Sequence, residues 1–439
     1  MPKQNHSQGS AAPPRRWLQG RSVARALLGG LFALGLVAGC ERIAFYSTGR
    51  PAPDSDPGST TASSSTGGST GDPDSGTPAV TRATLLDAIT TCNLDLLDAF
   101  QKAAQEFAAA AAEAKTNPAS RAKAQGAWTK AIDLWQKAEP FQFGPAGPSN
   151  APGGQGLRDT IYSWPLVSRC LVEQNIVSKA YENPDFGTTA LINMRGLAAA
   201  EYLLFYGGTD NACSPSTAIN GTGSWAAISA DDLAARKAAY ASSVASGVAT
   251  MAGKLLGAWR PGEGDFASQL RSPGQGGSVY TNEQMALNAV SDAMFHVETH
   301  VKDLKLARPL GIMDCTAVTC PEAVESRFAG RSRTHVRNNL VGFRMLMSGC
   351  NEGEGVGFDD VLVGIGATAL AQKMNADVNA AIVAADAVPG DDLAQALAQN
   401  PESVEQLHAA VKRITDSLKT EFVTVLDLEL PKLLEGDND

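Results

Sequence analysis

The sequence lacks the short motifs by which most zinc enzymes are recognised. Its 439 residues include only five histidines, no His-Glu-x-x-His motif and no Cys-x-x-Cys pair. Because a catalytic zinc ion needs three protein ligands, these absences argue against a conventional zinc peptidase and against a cysteine-rich structural zinc site. Alternating apolar and polar runs, the pattern of a half-buried strand, are nearly absent as well. The chain is therefore expected to be helical and to lack a standard zinc-binding motif.

The N-terminal segment has the pattern of an export signal. Residues 1–39 contain four arginines and no acidic residue, and they end in an apolar run from Ala26 to Gly39. This run is too short to span a bilayer comfortably and is typical of a secretory signal peptide. The segment Leu36-Val37-Ala38-Gly39-Cys40 resembles a bacterial lipobox, which implies acyl chains such as palmitate on Cys40 and lasting membrane attachment. The alternative is an ordinary signal peptide with a chance cysteine.

Composition predicts a tether between this signal and the folded domain. From Ser47 to Pro78 the chain consists of Ser, Thr, Gly, Pro and Asp with almost no apolar residue. Such a segment cannot bury enough surface to offset its chain entropy. Residues 40–80 are therefore expected to be a flexible linker to a helical domain at 81–435. We expect the protein in the bacterial cell envelope, on the periplasmic side of either membrane or at the cell surface.

Charge excludes one class of partner. The first 39 residues hold five basic residues, so the remainder has 31 basic and 46 acidic residues and a net charge of −15. This surplus argues against nucleic acid as a partner and is compatible with cations or cationic ligands. The expected partner from the sequence pattern is the membrane, through the lipid anchor.

The cysteines favour an oxidising compartment. Six remain when Cys40 carries lipid, and an even number in an exported chain suggests up to three disulfides with fifteen possible connectivities. The six candidates are Cys92, Cys170, Cys213, Cys315, Cys320 and Cys350.

Three long apolar stripes with helical spacing indicate the fold class. One helix is expected to start at the N-cap Asn400 with Pro401 in its first turn, and another has the capping-box spacing of Ser229 and Asp232. We predict an all-α fold of two packed helical bundles with approximate halves 81–225 and 226–435. The stripes are Leu85, Ile89, Cys92, Leu96, Phe100, Phe107; Leu233, Tyr240, Val244, Val248, Met251, Leu255, Trp259; and Val404, Leu407, Val411, Ile414, Leu418, Phe422, Val425.

The segment from Gly196 to Leu204 reads as the helical motif Gly-x-His-x-x-Glu with its histidine replaced by Ala198. Positions 198 and 201 lie three apart and share a helix face, so a histidine and a glutamate there could bind one cation. A methyl group cannot. The segment therefore predicts the scaffold of a metal site without its best ligand.

This motif and three other segments resemble, in order, the imelysin-like family of bacterial exported proteins. The other segments are WQKAEPFQFGP at 135–145, RDTIYSWP at 158–165 and PEAVESRFAGRSRTHVRNNLVGFRMLMSG at 321–349. The resemblance implies two helical bundles, frequent lipid anchoring and metallopeptidase activity in some members. It also implies a link to iron-regulated or metal uptake, with components of a metal-uptake system as partners. It places Gly196 and Glu201, with Arg158 and Asp159, in the binding site.

The missing histidine decides how the activity is interpreted. Glu201 alone supplies one metal ligand, which favours a binding protein that is not catalytic over a metallopeptidase with an unconventional site. A passive envelope component is a third possibility. Because Glu201 lies among leucines, it needs a partner when buried. We expect a structural ion pair with Arg158, Arg169 or Arg195, and Arg158 is the specific hypothesis; the alternative is a ligand-binding carboxylate.

A second candidate for a metal site lies further along the chain. Asp292, His296 and His300 recur every four residues, so they are expected on one helix face, where they could bind zinc, copper or iron together with Glu201. A solvated polar face is the favoured alternative. Ser326, beside Glu325, has no His or Asp partner identifiable in the sequence, so a serine hydrolase is unsupported.

Overall fold

The structure, a computed structural model, describes residues 80–351 and 353–431. The predicted signal peptide, Cys40 and nearly all of the tether lie outside these residues. Within them the chain forms helices and no β-strand, which confirms the all-α prediction. None of the helices in the described ranges has the length and apolar character needed to cross a bilayer.

The helices vary widely in length. Two π-helical segments, Val297–Ala307 and Leu418–Phe422, follow the α-helices Glu283–Met294 and Pro401–Ser417 in the chain. In chain order the α-helices are α1 Arg82–Thr116, α2 Arg121–Ala138, α3 Leu157–Ile161, α4 Arg169–Ser178, α5 Phe186–Thr189, α6 Gly196–Phe205, α7 Ala218–Gly221, α8 Ala230–Trp259, α9 Phe266–Arg271, α10 Glu283–Met294, α11 Ser332–Ser348, α12 Phe358–Gly364, α13 Thr368–Ala387, α14 Leu393–Gln399, α15 Pro401–Ser417 and α16 Val423–Val425.

The first bundle consists of α1, α2, α6 and α8. The two long helices α1 and α8 pack along each other, and the shorter α2 and α6 complete the group. At the start of α8 the Ser229 hydroxyl accepts a hydrogen bond of 3.2 Å from the backbone N–H of Asp232, as the capping pattern predicts. Because α8 packs against α1, it belongs with the helices before residue 226, a grouping that the halves 81–225 and 226–435 do not capture.

The second bundle consists of the π-helical continuation of α10 with α11, α13 and α15. Helix α15 begins at Pro401 as predicted, although the Asn400 side chain makes no capping hydrogen bond. Its predicted apolar stripe is buried as far as Phe422, whereas Val425 is exposed. The stripe therefore faces the interior of this bundle.

The two bundles meet where α2 packs against α11. At this crossing a Cβ atom on Gly342 would lie 2.2 Å from the carbonyl oxygen of Lys137, so only glycine permits the close approach. A disulfide between Cys92 on α1 and Cys350 after α11 also connects the bundles. All six predicted cysteines are paired, the other two bonds being Cys170–Cys213 and Cys315–Cys320.

Candidate functional site

The motif helix α6 starts with a glycine for a steric reason. Gly196 has φ +81°, and a Cβ atom there would lie 2.7 Å from the carbonyl oxygen of Ile161 in α3. All residues from Gly196 to Leu204 are buried. The glycine of the motif therefore permits the close approach of α6 to α3, and its part in the site is to position the helix.

Glu201 is bound to backbone and not to an arginine. Its Oε1 atom accepts hydrogen bonds of 3.0 Å from the N–H groups of both Phe328 and Ala329. The residue is only 5% exposed, and burial raises the pKa of its carboxyl, while these two amides act in the opposite direction. Glu201 thus fastens the loop that precedes α11 onto the motif helix.

The predicted pairing of Glu201 with Arg158 is wrong. The guanidinium of Arg158 binds Glu139 in a fork, with Nε 3.3 Å from Oε1 and Nη2 3.0 Å from Oε2. Its Nη1 donates to Asp159 at 3.0 Å and to the carbonyl of Trp164 at 2.8 Å. With these partners, Arg158 has none of its donors directed at Glu201.

The two other arginines considered as partners are engaged elsewhere too. Arg169 binds Glu173 at 2.7 Å and Asp210 at 2.9 Å. Arg195 donates to the carbonyl of Gly187 at 3.4 Å. Backbone amides from a distant loop, and not a cation, satisfy the buried carboxylate of Glu201.

A buried polar network centred on Glu325 joins the bundles next to this loop. Glu325 accepts hydrogen bonds from the Tyr162 hydroxyl at 2.5 Å and from Gln136 at 3.1 Å. Lys305 Nζ lies 3.0 Å from its other oxygen, and His335 Nδ1 lies 3.4 Å from that oxygen. Although burial alone would raise it, the pKa of Glu325 is held well below its usual range by Lys305 and His335.

Residues from three of the family segments meet in this network. Gln136 lies in the first segment, Tyr162 in the second, and Glu325 in the last, and the fold brings them into one cluster. Lys305 also donates to Gln136 at 2.8 Å and to Asn339 at 2.6 Å. The buried ion pair of Lys305 and Glu325 therefore links the two bundles at this point.

The predicted metal cluster around Asp292 is not assembled. Asp292 is exposed, whereas His296 is 4% exposed and its ring stacks on that of His300 at 4.5 Å between centroids. The chain changes from α10 to π-helix between Asp292 and His296, so Asp292 lies at the surface while the two histidines stay together on the inner side. Across residues 80–351 and 353–431, no three His, Cys, Asp or Glu side chains are placed to share a metal ion.

The solvated polar face that we favoured is also wrong for His296. Its Nδ1 lies 3.1 Å from the Gln142 amide, and its Nε2 lies 3.6 Å from Glu139 and has no hydrogen-bond partner among the described residues. Burial lowers the pKa of both imidazoles. Lys305 and Arg158 lower both pKa values further, and His296 also lowers the pKa of His300. Both rings are therefore held neutral inside the protein.

Ala198 and Glu201 line a cavity of about 370 Å³ between the motif helix and the disulfide-linked segment before α11. Arg158 and Asp159, which the resemblance placed in the site, are not part of its wall. The wall comprises Trp164, Pro165, Val167, Arg169, Val172, Ala198, Glu201, Tyr202, Arg308, Asp314, Cys320, Glu322, Ala323, Val324, Ser326, Arg327 and Phe328.

Two wall residues, Ser326 and Arg308, were not predicted as part of the site. Ser326 is 5% exposed with φ +53°, and its hydroxyl has no hydrogen-bond partner in the described part of the chain. A left-handed non-glycine residue in a cavity wall is the kind of strain that occurs at binding sites. No sequence pattern reveals it, because its importance comes from a fold that places residue 326 beside residue 201.

The wall does not fit a bound metal ion. The methyl group of Ala198 offers no lone pair, and one oxygen of Glu201 is already engaged by two amides. What the cavity offers is hydroxyl, guanidinium and carboxylate groups beside aromatic rings, which suits a small organic molecule.

Comparisons with known proteins agree with this architecture. No curated protein matches the chain significantly. A solved structure described as an iron-regulated protein A precursor from Parabacteroides distasonis ATCC 8503 is 17% identical, with 80% of this chain and 96% of that chain covered and a TM-score of 0.61. An imelysin-like protein from Psychrobacter arcticum 273-4 is 16% identical, with 80% and 98% covered and a TM-score of 0.58. The Imelysin family model, Peptidase_M75, matches residues 94–420, and the chain belongs to the imelysin family.

Proposed function

We propose that this protein is a lipid-anchored component of the bacterial cell envelope that binds a small ligand in the cavity beside Glu201, as part of iron or metal uptake, without catalysis. The observation that carries the proposal is the position of the motif. Ala198 and Glu201 both line a cavity that also contains the unpartnered hydroxyl of Ser326.

The link to metal uptake is supported by a structural relative. One protein with the same fold is described as iron-regulated. Since the wall does not fit a bare ion, the metal would enter as part of a complex with an organic chelator, or the chelator would bind alone. Lipid attachment at Cys40 would hold the domain at the membrane through the tether, and this residue lies outside the described ranges.

Thermal unfolding of the full-length chain tests the binding function. Ferric citrate is compared with Zn²⁺, Cu²⁺ and Fe²⁺ salts, using the wild type and Ala198→Met, in which a longer side chain fills part of the cavity. We expect the complex to raise Tm in the wild type and not in Ala198→Met, with no shift from the simple salts. The matched control is Ala409→Met on the exposed surface of α15.

Two results would count against the proposal. A Tm shift by the simple salts as large as that by the complex would show direct metal binding. A shift unaltered by Ala198→Met would place the ligand elsewhere. The anchor is tested separately with Cys40→Ser, which we expect to abolish labelling by a palmitate analogue and to release the chain from the membrane fraction.

A further inference from the structure

The charged groups of the cavity wall differ in whether they already have partners. Arg169 is paired with Glu173 and Asp210. Arg308 is partly buried and forms neither a hydrogen bond nor an ion pair through its side chain with any described residue. A partly buried cation without a partner is costly to desolvate and is favourable for binding an anion.

The acidic residues of the wall do not neutralise this arginine. Asp314 and Glu322 are solvent exposed, and no ion pair joins either of them to Arg308 within the described ranges. Glu201 has one oxygen committed to the backbone N–H groups of Phe328 and Ala329. An incoming anion would therefore meet an unpaired guanidinium at this wall.

The aromatic rings of the wall argue against a cationic ligand. The guanidinium of Arg169 lies 5.2 Å from the ring centroid of Tyr202, and that of Arg327 lies 4.8 Å from the centroid of Phe328. Lys305 Nζ lies 5.6 Å from the centroid of Trp164. Each of these rings already has a cation of the protein near it, so the rings do not form an empty cage for a quaternary ammonium group.

We propose that the cavity binds a small organic carboxylate, with the ligand's carboxylate held by the guanidinium of Arg308 and by the hydroxyl of Ser326. This inference rests on the proposed binding function and names its ligand class. A guanidinium matches a carboxylate in a two-pronged geometry, and the hydroxyl of Ser326 supplies a donor that has no other partner in the described chain. Trp164, Tyr202 and Phe328 provide apolar surface for a carbon skeleton.

Glu201 acts in this site as a positioning residue. By accepting hydrogen bonds from Phe328 and Ala329 it fixes the loop two residues after Ser326. The volume of about 370 Å³ is at the lower end of the range of about 300–1,000 Å³ for ligand cavities, so the ligand is a small molecule.

Isothermal titration calorimetry of the full-length chain with citrate, succinate, inorganic phosphate and choline tests the ligand class. We expect at least one of the two carboxylates to bind, and choline not to bind. Arg308→Gln should weaken carboxylate binding by about 10-fold to 100-fold and Ser326→Ala by about 3-fold to 10-fold, the usual range for a charged and a neutral hydrogen bond. Arg413→Gln, which removes an arginine outside the cavity wall, should leave affinity unchanged.

Several outcomes would overturn the inference. Binding of choline or phosphate alone would show a different ligand class, and unchanged carboxylate affinity in Arg308→Gln would place the anion elsewhere. Binding of none of the four probes would also contradict it. If Ala198→Met still abolished the Tm shift by ferric citrate in those cases, the binding function would stand and only the role of Arg308 and Ser326 would fail.

Discussion

The side chain of Glu201 accepts a hydrogen bond of 3.0 Å from the backbone N–H of Phe328, 127 residues further along the chain. The same oxygen accepts a second bond from the next amide, and both donors belong to the loop that carries Ser326. The glutamate of the family motif therefore connects the motif helix to the cavity wall through backbone.

This relationship predicts different effects for two substitutions at Glu201. Glu201→Ala leaves two partly buried amides without an acceptor, and each unsatisfied donor costs about 1–3 kcal/mol, so we expect a loss of about 2–6 kcal/mol in the free energy of unfolding. Glu201→Gln retains a carbonyl oxygen in place and should cost about 1 kcal/mol or less. Urea denaturation measures both, and equal losses would show that charge, and not the hydrogen bonds, is what matters.

Double-mutant cycles test whether Arg158 pairs with Glu139 or with Glu201. Breaking a buried ion pair costs about 3–5 kcal/mol, so Glu139→Gln and Arg158→Gln should each be strongly destabilising and together cost much less than their sum. The cycle of Glu201→Gln with Arg158→Gln should be additive within about 0.5 kcal/mol. Strong coupling in the second cycle would show that Glu201 and Arg158 do form an ion pair.

The sequence shows that Glu201 needs a partner but not which group supplies it. Burial of Glu201 could be predicted from the surrounding leucines, and the need for a partner followed from the cost of burial. Three arginines were visible in the sequence as partners. The backbone amides of residues 328 and 329 were not, since every residue has an N–H group and only the fold shows which ones lack an acceptor.

The fold itself was more predictable than the site. The stripes of α1, α8 and α15 follow from helical periodicity, which is a local property of the sequence. The same periodicity misplaced Asp292 relative to His296, because the helix changes from α to π between them. The cavity depends on contacts between residues far apart in sequence, and neither Arg308 nor Ser326 has a local signature.

The stability of the fold should depend on pH through His296 and His300. Burial lowers the pKa of His296 and His300, so the folded state keeps them neutral, while in the unfolded chain they take up protons near pH 6.5, the usual pKa of histidine. Because folding lowers the pKa of each imidazole, its contribution to the free energy of unfolding is fully present above the unfolded pKa and is lost as pH falls below that value. The free energy of unfolding should therefore fall below about pH 6.5, by up to about 1.4 kcal/mol per pH unit for each imidazole.

Urea denaturation at pH 5, 6 and 7 measures this dependence. His296→Gln and His300→Gln should each reduce the slope of the unfolding free energy against pH over this interval. Each reduction corresponds to at most one proton fewer taken up on unfolding, whatever the effect of the substitution on absolute stability. An unchanged slope in the double variant would assign the pH dependence to other groups.

The disulfides should contribute unequally to the free energy of unfolding. Cys92–Cys350 closes a loop with a sequence separation of 258, and Cys315–Cys320 one of only 5. On the chain-entropy model, removing the first should cost about 5 kcal/mol and removing the second about 2 kcal/mol. Paired Cys→Ala variants followed by chemical denaturation measure both costs. Similar losses would mean that loop entropy does not account for the stabilisation.

We propose that the site beside Glu201 binds a ligand and does not cleave peptide bonds. Hydrolysis of unfolded casein by the purified full-length chain is measured with added Zn²⁺ and with EDTA, beside a Glu201→Gln control. We expect that no sample cleaves casein above a heat-inactivated reference. Cleavage that EDTA abolishes, zinc restores and Glu201→Gln removes would contradict it and would show a metallopeptidase with an unconventional site.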